Sequence, residues 1–132
     1  MNYDEIIEFR NKNSKFAAHV GIRITEMKPG YAKGEMLVAD HHQNAIQSIH
    51  GGCLFSIADT IGGTAAVSRG RRTTTMSSDF HFLSPGVDVK KLVAVATEVK
   101  CGKKISIYDV EVFNEREVLL AKGTFTFFNL EA

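Results

Sequence analysis

The sequence predicts an α+β fold in which one long apolar helix packs on an antiparallel β-sheet. Three observations predict it. Gly51 to Ser68 is the one long segment with helical periodicity, because Leu54, Ile57, Ala58, Ile61, Ala65 and Ala66 recur at spacings of three and four. Four segments rich in β-branched and aromatic residues follow it, separated by turn signals. Two shorter segments precede it, on either side of Pro29-Gly30. Such a sheet buries one face on the helix. Its edge strands must be covered or paired, and a second copy of the chain is one solution.

The elements follow in order. Residues 3 to 12 read as a short helix, with Asp4 and Glu5 favouring its start. Val20 to Met27 and Tyr31 to Val38 read as a hairpin across Pro29-Gly30. Ala39 to Ile49 is polar, carries His41, His42, Gln43 and Asn44, and reads as a loop. In the long helix, Gly62, Gly63 and other small residues allow another backbone to approach, and Gly70-Arg71-Arg72 ends it. Thr73 to Leu83 is a strand broken by Ser84-Pro85-Gly86. Val89 to Val99 is the next, with Leu92, Val93, Val95 and Val99. Cys101-Gly102-Lys103 turns into Ile105 to Phe113, and Asn114-Glu115-Arg116-Glu117 turns into Val118 to Phe128. No repeat or linker interrupts the series, so residues 1–132 read as a single domain.

Composition narrows the function classes. The 132 residues are 44% hydrophobic and 23% charged, with a net charge of +1, so no strong positive field favours nucleic acid. The two cysteines, Cys53 and Cys101, read as free thiols in a reducing compartment. The acidic start Met1-Asn2-Tyr3-Asp4-Glu5 lacks the basic and apolar character of a signal peptide. No apolar run reaches membrane-spanning length. The expectation is a cytoplasmic protein that binds neither nucleic acid nor membrane. His41, His42 and His50 lack a completing Cys or carboxylate at a recognisable ligand spacing, so no metal is expected.

One physical argument points to chemistry. Gly51 starts the long helix, where backbone N–H groups lack intrahelical partners and the helix dipole favours negative charge. A carbonyl held there is polarised, and an oxyanion formed from it is stabilised. The residues alone leave a plain helix-start glycine equally open. Asp59 lies eight residues on, among apolar neighbours, and by spacing alone reads as a solvated helix carboxylate.

The element order, with Asn44, then His50-Gly51-Gly52, then Ala58-Asp59, resembles the hotdog-fold thioesterases of the phenylacetate-degradation (PaaI-like) type. Ser77-Ser78-Asp79-Phe80 running to Ser84-Pro85, and Gly102-Lys103 in a later turn, extend the resemblance over nearly the whole chain. It implies a sheet wrapped around the helix and hydrolysis of acyl-coenzyme A thioesters. Asp59 is then the general base or nucleophile, and the Gly51 amide is the carbonyl or oxyanion site. Asn44 positions water or the carbonyl, and Ser77 helps hold the attacking water, with Thr75, Ser78 and Asp79 as nearby alternates. His50 either polarises the site or anchors the helix start. Gly52, Ser78, Pro85, Gly102, Lys103 and Lys104 are the implied substrate contacts, the lysines facing the phosphates of coenzyme A. Arg71-Arg72 and Lys90-Lys91 read as solvated charges. The resemblance implies a site shared between subunits of a dimer or a dimer of dimers, with no cofactor beyond the coenzyme of the substrate. Two rivals remain: a hotdog protein that binds acyl-coenzyme A without hydrolysing it, and a hydroxyacyl thioester dehydratase using His50 and Asp59.

Overall fold

The computed structural model describes residues 1–130. Two short helices, α1 (Tyr3–Asn13) and α2 (Lys15–Val20), lead into β1 (Ile22–Lys28) and β2 (Tyr31–Leu37). A 3₁₀ turn at Asp40–His42 precedes the central helix α3 (Gly51–Val67). Then come β3 (Thr73–Phe82), β4 (Lys91–Cys101), β5 (Ile105–Asn114) and β6 (Leu119–Asn129). All pairings are antiparallel, and the six strands run in the order β1-β2-β4-β5-β6-β3. The chain after α3 therefore crosses to the far edge of the sheet and returns inward. None of the described helices is long and apolar enough to cross a membrane.

Helix α3 lies across the sheet and buries Leu54, Ile57, Ala58, Ile61, Ala65 and Ala66 against it. The approach is close. A Cβ on Gly34 of β2 would run into the Ile61 side chain of the helix and lie 2.8 Å from the Arg23 carbonyl oxygen, so glycine permits the close packing there. On β4 it is Leu92, Ala94 and Ala96 that are fully buried, while Val93 and Val95 are only partly so. Alanines face the helix because a small-residue helix has come in close, and the valines alternate to the opposite face.

Two boundaries differ from the sequence reading. Val20 ends α2 instead of opening a strand. Gly21, in the left-handed conformation (φ 99°), stops that helix and β1 starts at Ile22. Six residues are too few for a helical period to show. Strand β4 begins at Lys91 and continues past Val99 to Cys101, because Val99 is the extra residue of a bulge between Glu98 and Lys100.

The two sheet edges are unlike. Along β1, the Asn11 side chain donates to Ile24 O (2.9 Å) and accepts from Ile24 N–H (2.8 Å), closing the edge as a strand would. Strand β3 is exposed along nearly its whole length.

Candidate active site

The start of α3 is set by its loop. Buried His42 accepts the Ala39 N–H at Nδ1 (2.9 Å), so its Nε2–H is the donor to Val20 O. Its carbonyl accepts the His50 N–H (2.9 Å). Ile49 N–H donates to Gly86 O (3.0 Å), tying the loop to the turn after β3. Asn44 is occupied within this loop. Its Oδ1 accepts from Ile46 N–H (3.0 Å) and Ser48 N–H (3.1 Å), and its Nδ2 donates to Ser48 Oγ (2.8 Å). This is an Asx-type turn, which also holds Gln47 at φ 62°. One Asn44 amide hydrogen is left over from those bonds.

His50 is the N-cap of α3. Its Nδ1 accepts the Gly52 N–H (2.7 Å), and its carbonyl accepts the Cys53 and Leu54 N–H groups (2.9 and 3.4 Å). Of the first four helix donors, only the Gly51 N–H has no partner among the described residues. Gly51 lines a cleft of about 250 Å³ with Ser48, Phe82, Ser84 and Pro85. The Phe82 ring, 58% exposed, lies where a Gly51 side chain would be, 3.3 Å from an added Cβ. Cys53 follows, and partial burial pushes its thiol up, away from the thiolate.

Asp59 opens into a different cleft, of about 240 Å³, between α1, α3 and β3. It is half-buried, and its Oδ1 accepts a hydrogen bond from Thr75 Oγ1 (2.6 Å). Arg10, Thr60, Thr73 and Phe127 share that cleft.

Thr75 stands where Ser77 was expected. Thr75 pairs with Phe127 and Ser77 with Thr126, and Met76 between them is the extra residue of a bulge. Phe125 and Phe127 are buried, so Thr126 and its partner Ser77 face the opposite side of the sheet. The bulge thus removes Ser77 from Asp59. Ser78 pairs with Phe125 and returns to the helix-facing side, where it is exposed.

The remaining expected contacts divide between two places. Gly52 and Pro85 lie at the Gly51 end. Gly102, Lys103 and Lys104 lie at the other end of β3, beside Asn129, the partner of Thr73. Ten residues of strand separate the ends, roughly 30 Å. The carbonyls of Gly102 and Lys103 accept from Arg71 Nη1 (3.0 and 3.2 Å), so Arg71 braces this turn instead of standing as a solvated charge. Lys103 and Lys104 are exposed.

A sequence model of the thioesterase superfamily matches residues 47–121, from just before the helix start through most of the sheet. The chain belongs to the thioesterase superfamily. Its likeness to curated members of known sequence is broad. It is 38% identical over 123 residues to a putative esterase of Archaeoglobus fulgidus, covering 92% of this chain and 80% of that one. It is 36% identical over 110 residues to the acyl-coenzyme A thioesterase PaaI of Escherichia coli, covering 83% and 79%. The solved structure of the Escherichia coli PaaI protein superposes with a TM-score of 0.90 at 31% identity, over 95% of this chain and 91% of that one. The fold is thus the hotdog fold of the PaaI-like thioesterases, as the resemblance implied. Within this superfamily member, Gly51 and Asp59 open into two separate clefts along one helix.

Proposed function

We propose that the protein hydrolyses acyl-coenzyme A thioesters to a free acid and coenzyme A, in a site completed by two copies of the chain. The spacing of the two chemical groups carries this reading. Gly51 and Asp59 are eight residues apart on α3, about 12 Å along its axis, and open into separate clefts. A reacting carbon must lie within about 3 Å of both nucleophile and oxyanion donor, which one chain cannot provide. Two chains can. A two-fold axis across the middle of exposed β3 sets the Gly51 end of one chain opposite the Asp59 end of the other. The name of the Escherichia coli relative supports the substrate class.

In this mechanism the thioester carbonyl oxygen accepts the Gly51 N–H at the positive end of the helix. Asp59 of the second chain, oriented by Thr75, takes a proton from water as the water oxygen bonds to the carbonyl carbon. The tetrahedral adduct collapses, the carbon–sulfur bond breaks, and the departing thiolate takes the water-derived proton from Asp59. Direct attack by Asp59, through an anhydride that water then opens, balances equally. No cofactor takes part in either route. Asn44 offers its remaining amide hydrogen to the carbonyl or water, and His50 holds the helix start. Lys103 and Lys104 offer charge to the coenzyme's phosphates. The assembly is a dimer or a dimer of dimers in the cytoplasm.

The test is subunit complementation, read as free-thiol release from a panel of acyl-coenzyme A substrates. Asp59→Asn and Gly51→Pro are each made alone, then co-expressed with different tags. Each mixed dimer has one site with both groups intact, so random pairing restores about a quarter of wild-type activity. A mixture as inactive as its parents overturns the shared site. A wild-type protein that releases no thiol overturns hydrolysis and favours binding alone.

A further inference from the structure

Arg10, on the last turn of α1, has no part in the mechanism above, yet it lines the Asp59 cleft. It is half-buried, and its guanidinium has no hydrogen-bond or ion-pair partner among the described residues. Burial lowers its pKa, but an arginine stays charged. A cation withdrawn from water without a partner is unfavourable, so the position favours an anion arriving from outside. The one carboxylate in the cleft, Asp59, is held by Thr75 and makes no ion pair with Arg10. The walls carry hydroxyls from Ser14, Thr60, Thr73 and Thr75, which suit an oxygen-bearing group better than a long hydrocarbon. The helix side of the cleft runs from Asp59 to Val67, about 12 Å, so a short chain attached at Asp59 stays within it.

We propose that Arg10 is a specificity residue. Its guanidinium binds a carboxylate at the far end of a short acyl group, so the preferred substrates are coenzyme A thioesters of dicarboxylic acids. This rests on the thioesterase reading of Asp59. The planar guanidinium matches a carboxylate through two parallel hydrogen bonds. Arg10 belongs to the N-terminal helix, outside residues 47–121 of the superfamily match.

The experiment compares glutaryl-coenzyme A with pentanoyl-coenzyme A, equal in chain length, in wild type, Arg10→Met and Arg10→Lys. Wild type should prefer the glutaryl thioester. Arg10→Met should lower kcat/KM for it by about tenfold to a hundredfold, the range of a charge-assisted hydrogen bond, and lower the pentanoyl value far less. Arg10→Lys, which keeps the charge and the stem, should lie between. Where Arg10→Met fails to fold, the wild-type preference and Arg10→Lys carry the test. Equal turnover of both thioesters by wild type, or an equal loss on both in Arg10→Met, overturns the proposal. A further arm uses the glutaryl thioester of pantetheine, which lacks the nucleotide phosphates. If the Arg10→Met loss disappears there, the guanidinium serves a coenzyme phosphate and the proposal falls. Calorimetry with a non-hydrolysable carboxyalkyl thioether of coenzyme A separates this from the hydrolysis reading. Arg10-dependent binding without thiol release from any thioester keeps the anion site and rejects hydrolysis.

Discussion

The two edges of the sheet meet the same physical problem in opposite ways. An edge strand presents unpaired N–H and C=O groups that another chain can use. At β1 the chain closes its own edge. The Asn11 amide pairs with both backbone groups of Ile24, and α1 and α2 pack alongside. At β3 nothing in the described chain covers ten residues of strand, and Met76 and Phe82 stand exposed on it. The open edge is also where both clefts lie. Phe82 sits over Gly51 at one end of β3, and Thr75 bonds Asp59 toward the other. One edge is tied down by the chain's own side chain; the other, in the proposed mechanism, receives a second copy with the substrate between them.

Substitutions sharpen this contrast from the open edge inward. The largest effect is expected for Asp59→Asn, which keeps the acceptor for Thr75 but cannot take a proton. Thiol release should fall by about a hundredfold to ten-thousandfold, the usual range for a general base, with the melting temperature little changed. Retained turnover would break the link between this edge and catalysis. Gly51→Pro removes the one uncommitted helix-start donor while keeping the helix. Proline is well tolerated at the first helical position, and His50 already has the extended backbone that precedes proline (φ −60°, ψ 134°). A loss of about a hundredfold to a thousandfold in kcat is expected, and circular dichroism should report an intact fold.

Thr75→Val removes the hydrogen bond to Asp59 and should lower kcat by about tenfold, more than Ser77→Ala in parallel assays. The reverse order would mean that the bulge at Met76 does not decide which hydroxyl serves Asp59. The smallest effect on activity belongs to the closed edge. Asn11→Ala leaves the Ile24 N–H and C=O unpaired and should cost about 1–3 kcal/mol of stability in a denaturant titration. A change confined to turnover, with stability held, would overturn the division between the two edges.

Why some of this was legible in the sequence and some was not follows from locality. Gly51 could be recognised because a helix start carries free donors whatever surrounds it. His50 left two readings open, and the structure gives it the anchoring bond to Gly52. Asn44 was legible as a turn residue for the same reason, since its partners lie within four residues. Asp59 read as a solvated acid because helical spacing says nothing about the strand across from it. Thr75 and Ser77 are alike in chemistry and differ only in the face they occupy, and the bulge that sets the face needs the register with β6. A one-residue slip reverses every side chain beyond it.

The sequence by itself determined the class of fold, the order of its strands around one central helix, and the helix-start donor, because hydrophobic period, turn residues and capping act over a few residues. Only the tertiary structure decided that β3 crosses to the open edge, that Thr75 serves Asp59, and that Arg10 shares their cleft. Those depend on contacts between residues distant in sequence. It also opened Gly51 and Asp59 into separate clefts, because the walls of each come from distant parts of the chain.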